Sequence, residues 1–284
     1  MMSALRLAMV CVPLLLTAAC GSADEAVEAD PAGAVGETAV RGPVHQRAQE
    51  RIQAGTETRA SDLSIENDDY KFRYAWPQEA DDIPALKDGL GAERDTQKAR
   101  LEAEAATGRK EAEGNDFPYH PLVFLKQWDV VTDLPRFLSL SAEIYTYSGG
   151  AHGMSVFDAL IWDREGANGG KALKPLAMFR SAAALNDAVR ARFCAQLDKA
   201  RARKRGGPVT RSEDSFNDCI EPVANSTVIL GSSTGDKFDR IGFLIPPYNA
   251  GPYSEGAYEV TVPANDTVMD AVKSQYRPYF EPSS

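Results

Sequence analysis

One β-favouring run with a single aromatic face constrains the fold more than any other feature. Large aromatic side chains occupy every second position of this run: Tyr70, Phe72, Tyr74 and Trp76. Side chains at alternate positions of a strand point to the same side of a sheet. Because four such groups on one side must be covered by another layer, the run predicts a strand in a sheet that packs against helices or against a second sheet.

The remaining segments alternate between β-favouring runs and helical stretches. A charged helix is predicted at 86–113, and a second helix, capped by Ser181, at 182–205. No strand–helix–strand unit is repeated. The sequence therefore predicts an α+β fold with mostly antiparallel sheets, packed helices and two small subdomains. The other predicted elements are strands at 121–131, 137–147, 154–162, 227–230, 240–245 and 257–262 and a closing helix at 267–275.

The first twenty residues have the pattern of an export signal. Arg6 precedes an apolar run from Leu7 to Leu16, and Leu-Thr-Ala-Ala then leads to Cys20. An apolar run this short is typical of a signal peptide, since a membrane-spanning helix needs about 20 residues. The residues before the cysteine resemble the lipobox of bacterial lipoproteins, which implies removal of residues 1–19 and a lipid on Cys20. An ordinary secretory signal that ends near a cysteine is the alternative.

Residues 20–61 are predicted to form a flexible acidic tether, because Ala, Gly and Glu predominate and aliphatic residues are few. Gly21 follows the cysteine where an aspartate would signal retention in the inner membrane. In a host with two membranes this favours the periplasmic face of the outer membrane. The net charge of −10 argues against a nucleic-acid partner, so the membrane would be reached through the lipid alone.

Two cysteines remain once the signal and the lipid account for Cys11 and Cys20. Cys194 and Cys219 form an even pair in an exported chain, where a disulfide is expected. Two free buried thiols are the alternative. A metal site is disfavoured because no histidine lies near either cysteine in the sequence. No metal and no cofactor are predicted.

The segment Tyr-Ser-Gly-Gly-Ala-His-Gly at 147–153 is the first candidate binding element. Glycine at Gly149, Gly150 and Gly153 permits a positive φ or a close backbone approach, and His152 is the one histidine in such a setting. A ligand-cradling loop and a tight corner fixed by the imidazole both fit, and the corner is preferred. Ser148 as a nucleophile is disfavoured because no Gly-x-Ser-x-Gly elbow is present.

The loop at 246–256 is the second candidate. It carries Tyr248, Tyr253 and Glu255 among prolines and glycines. Rigid aromatic side chains provide contact area at low entropic cost, which suits a protein or sugar ligand. The alternative is a structural loop whose tyrosines cover a sheet edge. The basic cluster at 201–205 is predicted to be the solvated end of its helix.

Three segments in order carry a resemblance to known families: the aromatic strand at 70–76, the segment at 147–153, and Pro-Tyr-Asn-Ala-Gly-Pro-Tyr-Ser-Glu-Gly at 247–256. Together they resemble the tandem found in the extracytoplasmic part of the anti-sigma factor RsiV and in the non-catalytic part of the deacetylase PdaC. The resemblance covers about residues 62–280. It assigns a PdaC-type domain to 62–153 and an RsiV-type domain, a domain of unknown function, to 154–284, with the glycine-rich corner between them.

This resemblance implies an envelope domain and, through RsiV, binding of a lysozyme. Neither a sigma-binding segment nor the catalytic domain of the deacetylase, with its metal-binding Asp and His residues, is expected here, so no catalytic residue is assigned. The favoured hypothesis is a lipid-anchored envelope module that binds a peptidoglycan-type glycan or a lysozyme-like protein. The alternatives are an envelope hydrolase that uses His152 with a carboxylate of the cleft, and a purely structural lipoprotein.

Overall fold

The structure, a computed structural model, describes residues 59–115, 117–212 and 216–283. The predicted signal peptide, Cys20 and residues 20–58 of the predicted tether lie outside the described residues. A six-stranded sheet and a three-stranded sheet are combined with helices, so the predicted α+β class is confirmed.

The six-stranded sheet contains its strands in chain order. All neighbouring strands are antiparallel except β2 and β3, which are parallel because a long helix carries the chain back between them. The first three residues of β1 belong to the predicted tether, and alternate residues of the strand are half-buried against the sheet. The six strands are β1 Arg59–Glu66, β2 Tyr70–Pro77, β3 Leu122–Asp133, β4 Phe137–Tyr147, β5 Met154–Asp163 and β6 Lys171–Leu173.

Two helices, α1 (Gln78–Asp81) and α2 (Pro84–Asn115), follow the aromatic strand, and α2 covers its aromatic face. Only a thin stripe of α2 is buried, as its charged sequence predicts. Lys126 lies on the same face and is 2% exposed. Its ammonium contacts Glu93 Oε1 at 2.5 Å and Asp158 Oδ2 at 3.2 Å, so the buried charge is compensated.

The second sheet is antiparallel and packs with a helix pair. Its strands are β7 Thr227–Gly231, β8 Arg240–Ile245 and β9 Tyr258–Pro263, and its helices are α3 Ala182–Arg205 and α4 Asp266–Ala271. The Ser181 cap is confirmed, because the hydroxyl oxygen accepts from the Ala184 amide at 3.0 Å. In the core, Phe193 of α3 meets Phe243 of β8 edge-on at 5.1 Å.

The closing helix is shorter than predicted. α4 ends at Ala271, and Val272 is extended (φ −70°, ψ 137°). Val272 forms a bridge with Phe179, and the Arg180 amide donates to the Ala271 carbonyl at 2.8 Å. Pairing with a segment almost a hundred residues away replaces the last helical turn, which a local pattern does not reveal.

The face of the large sheet opposite α2 is covered at one end by the second sheet. Ile229 and Leu244 of that sheet pack there against Val131 and Ala159. The other end of this sheet face lies against the loop at 246–256. Residues 148–153, where the domain boundary is predicted, connect β4 to β5, which are antiparallel neighbours in one sheet. The boundary itself stays a prediction.

Candidate functional site

The turn between β4 and β5 requires its glycines. Gly149 and Gly150 have φ of 99° and 95°, in the region that favours glycine. A Cβ on Gly153 would collide with the ring end of Tyr145 and lie 2.6 Å from the Thr146 carbonyl oxygen. The backbone at Gly153 therefore passes close to the side chain of Tyr145, which is the close approach that the glycines predict.

The loop at 246–256 holds its two tyrosines by backbone geometry. Tyr248 has φ of 72°, an uncommon conformation for a residue with a large side chain. Tyr253 begins a short 3₁₀ helix, Tyr253–Glu255, which Gly256 ends with φ of 66°. The ring of Tyr248 remains 45% exposed. These conformations present aromatic side chains on a stiff loop.

The two candidate loops, far apart in sequence, come into direct contact. The imidazole of His152 stacks on the ring of Tyr253, with centroids 3.8 Å apart and planes 20° from parallel. The ring of Tyr248 lies 6.2 Å from the imidazole and 5.6 Å from Tyr253. The Tyr253 hydroxyl donates to the Gly153 carbonyl at 2.9 Å, which ties the loops together.

Both nitrogens of the imidazole have partners. Nδ1 lies 2.9 Å from the Gly153 carbonyl, which only accepts, so Nδ1 carries the proton and donates. In the neutral ring Nε2 then accepts from the Tyr248 hydroxyl at 3.3 Å. The bond to its own loop is the one expected of a corner-fixing histidine. Among the described residues no carboxylate contacts the ring, so the His152–carboxylate pair of the hydrolase hypothesis is not formed.

A groove opens beside this aromatic cluster. It consists of a cavity of about 310 Å³ over β2–β4 and a cavity of about 450 Å³ under the 246–256 loop. Glu143 lines both, so the two cavities adjoin. Tyr145 lines the first and Tyr253 the second, with Gln127, Ser155 and Ser254 among the polar groups. Such an open, mixed aromatic and polar lining suits an elongated polar ligand.

The basic end of α3 holds the loop, which corrects the prediction of a solvated end. Arg205 binds Glu255 with two nitrogens, at 2.8 and 3.0 Å. Lys204 donates to the carbonyls of Glu255 and Ala257, both at 2.5 Å. Arg201 is fully buried and donates to the Ala250 carbonyl at 2.9 Å. Three of the cations therefore bind acceptors of the loop, with Arg201 buried, Arg205 half-buried and Lys204 still exposed, while Arg203 remains at the surface as predicted.

Glu255, predicted as a ligand-binding group, is therefore mainly part of this clamp. The hydrogen bonds from Arg205 lower the pKa of its carboxyl group, and partial burial opposes that shift. The Tyr258 hydroxyl also donates to it. Burial, followed by the neighbouring carboxylate, raises the pKa of Tyr258 to about 12. At neutral pH the carboxylate is ionised and the phenol protonated, which is the state in which the clamp forms.

The predicted disulfide is confirmed. Cys194 on α3 and Cys219 are joined, with Cα atoms 5.4 Å apart. The bridge fixes the segment before Cys219 against α3. From that segment the Asp218 carbonyl accepts from Arg201 at 2.8 Å, and Asn217 accepts from Arg205 at 2.6 Å.

Two groove residues escaped the sequence analysis. Glu143 and Tyr145 lie two apart on β4 and so share one face of the sheet. The same face carries Ser139 and Ser141, which are buried under the second sheet. In the sequence, only the change from serines to a carboxylate and a tyrosine along this face of β4 was visible, and it indicates the end of the cover only once the position of the second sheet is known.

Two further properties concern the described residues alone. No three side chains of His, Cys, Asp or Glu come together in an arrangement that could hold a metal ion. None of the helices in this part of the chain has the length and apolar character needed to cross a membrane.

Comparisons with known proteins give one match to a family model and similarity to solved structures. Residues 63–155 match the family model described as Deacetylase PdaC. No curated protein matches the chain. Two solved structures of DUF3298-family proteins are similar to it. The one from Bacteroides fragilis has 15% identity and a TM-score of 0.46 and covers 79% of this chain and 97% of its own. The one from Pseudomonas aeruginosa has 17% identity and a TM-score of 0.42 and covers 80% and 96%. The match to the family model confirms the PdaC part of the predicted tandem as a domain at 63–155.

Proposed function

We propose that the protein is an exported, lipid-anchored module of the cell envelope that binds a peptidoglycan-type glycan in the groove. One observation carries the proposal: His152 joins the two candidate loops over a groove that runs along the sheet face. The match of residues 63–155 to the PdaC family model is consistent with an envelope-associated role.

The lining of the groove suits a saccharide. Sugar rings combine an apolar face with a rim of hydroxyl groups, and tyrosine rings with neighbouring polar groups complement both. Tyr145 and Tyr253 supply the rings, and Gln127, Ser155 and Ser254 supply polar contacts. The loop is held by the α3 clamp and the stacked imidazole, so little ordering entropy remains to be lost on binding.

A lysozyme-like protein is the second candidate, favoured by one feature. Tyr248 lies beside the groove and is 45% exposed, with a positive φ. Its hydroxyl group contacts His152, and the exposed part of the ring can meet a partner. Exposed rigid tyrosines are frequent anchors of protein interfaces. The partner is the one that the RsiV resemblance implies.

Binding to defined ligands tests the proposal. Purified protein titrated with peptidoglycan-derived oligosaccharides should give saturable heat, and Tyr253→Ala should weaken the affinity about tenfold, equivalent to 1.4 kcal/mol. The variant loses the ring that stacks on His152 and lines the groove. Phe117→Ala is the matched control, because that ring is 51% exposed and does not line the groove.

The same titration with a lysozyme tests the second candidate, and product analysis of the oligosaccharides tests the hydrolase alternative. Saturable binding of a lysozyme alone, lost in Tyr248→Ala, would favour the protein partner. Release of shortened saccharides by the wild type would favour hydrolysis. If neither ligand binds, the protein is not a binding module of this kind.

Lipid anchoring is tested at Cys20, where the thiol is the expected attachment point. Cys20→Ala should move the protein from the membrane fraction to the soluble exported fraction and abolish incorporation of a labelled fatty acid, because several acyl chains are what hold such a protein stably. Cys11→Ala, within the predicted signal, is the control and should leave both unchanged. Retention of Cys20→Ala in the membrane fraction would contradict a lipid anchor.

A further inference from the structure

The charges that line the groove do not balance. Five charged residues line it, and four of them belong to ion pairs within the protein; one of these four, Lys126, directs its side chain to the α2 face of the sheet. Glu143 is the exception: among the described residues no cation pairs with it. The four pairs, with their shortest distances, are Arg73 with Asp62 at 2.6 Å, Asp129 with Arg59 at 2.5 Å, Lys126 with Glu93 at 2.5 Å, and Glu255 with Arg205 at 2.8 Å.

Glu143 occupies the centre of the groove. It is the residue shared by the two cavities, with Tyr145 lining one and Tyr253 the other. One carboxylate oxygen accepts from the Ser155 hydroxyl at 3.1 Å. In the described part of the chain the other oxygen has no hydrogen-bond partner, so an anionic acceptor is held half-buried and ready for a donor.

We propose that Glu143 recognises a primary ammonium group, so that the groove prefers a glycan with free 2-amino groups over its N-acetylated form; this rests on the glycan-binding function proposed above. An ammonium group donates a charge-assisted hydrogen bond to a carboxylate, and such bonds are about twice as strong as neutral ones. Tyrosine rings line the cavities on either side of Glu143, and aromatic rings attract cations that approach their faces.

A neutral ligand does not offer the same compensation. Covering Glu143 with an acetamido group removes water from the carboxylate without supplying an opposite charge. The groove therefore discriminates in two ways, by attracting the ammonium and by penalising its neutral counterpart. The hydroxyl and amide side chains along the groove fit the hydroxyl groups of a sugar, which favours an amino sugar over the ammonium of a lysine side chain.

Oligosaccharides of matched length test this preference. Purified protein is titrated with glucosamine oligomers and with N-acetylglucosamine oligomers at low and at physiological salt. The amino form should bind at least tenfold more tightly, and the ratio should fall as salt screens the attraction. Glu143→Gln, which keeps the shape and the bond from Ser155, should remove the preference and leave the affinity for the N-acetylated form unchanged or higher.

Because the protein carries a net charge of −10, a control must separate local from general attraction. Glu113→Gln removes the same charge from an exposed position on α2 and should keep the preference. Equal affinity for the two oligomers, or a preference that survives Glu143→Gln, would overturn the ammonium proposal while leaving glycan binding intact. Failure of both oligomers to bind would overturn both proposals. Glu143-dependent binding of a lysine peptide without binding of amino sugars would overturn the saccharide assignment.

Discussion

Arg201→Ala will lower the free energy of unfolding by about 3–5 kcal/mol, whereas Arg203→Ala on the same helix will change it by no more than about 0.5 kcal/mol. Arg201 is fully buried and Arg203 is exposed, although both belong to one basic cluster. The truncation leaves a cavity and removes the donors to the carbonyls of Ala250 and Asp218. Urea unfolding of the two variants measures the difference.

A third variant separates packing from hydrogen bonding. Burial lowers the pKa of Arg201, because the charged guanidinium is desolvated. Arg201→Met relieves that cost and retains most of the packing of the stem, so it should recover part of the lost stability. It cannot donate to the Ala250 carbonyl, so the 246–256 loop should stay loosened and ligand affinity should stay reduced. Equal stability of Arg201→Ala and Arg203→Ala would contradict the clamp.

The elements with strong local patterns were predictable. The alternation of Tyr70 to Trp76 predicts a strand with one buried face, and Phe72 and Tyr74 are buried against α2 as expected. Ser181 and the apolar spacing after it predict α3. In these segments local preference and tertiary packing favour the same structure, which is why a pattern suffices.

Pairing over long distances was not predictable. β1 lies in a polar stretch, and it forms a strand because its backbone pairs with the edge of β2. Val272 leaves the helical conformation because Phe179 pairs with it. In both cases the deciding partner is remote in the sequence, so the local pattern does not contain the information.

The candidate site combines both situations. The sequence identified the residues of both loops, since glycines at special positions and rigid tyrosines are visible locally. It did not reveal that His152 and Tyr253 stack, nor that the basic end of α3 turns inward onto the second loop. It also missed Glu143, because one carboxylate on a strand is distinctive only once its neighbours' charges are known to be paired.

Removing the disulfide with Cys194→Ser and Cys219→Ser together will lower the free energy of unfolding by about 3 kcal/mol. The two residues are 25 apart in sequence, and closing a loop of this length restricts the unfolded chain by roughly that amount. Urea unfolding of the wild type with and without reductant gives the same comparison, and the double variant serves as the control because reductant should not affect it. An unchanged midpoint for the reduced wild type would contradict the estimate.

Ligand binding distinguishes two ways in which this bridge acts. If it acts only by restricting the unfolded chain, the native groove is unaltered and the reduced protein binds glycan as well as the oxidised protein does. The structure points to a second effect. The segment fixed by Cys219 supplies the acceptors that orient Arg201 and Arg205, and these arginines hold the 246–256 loop beside the groove. Loss of the bridge should therefore weaken glycan binding under conditions in which the protein remains folded. Arg201→Ala should make binding less sensitive to reductant than in the wild type, because one of the two connections from the bridge to the loop is then already broken and only the one through Arg205 remains.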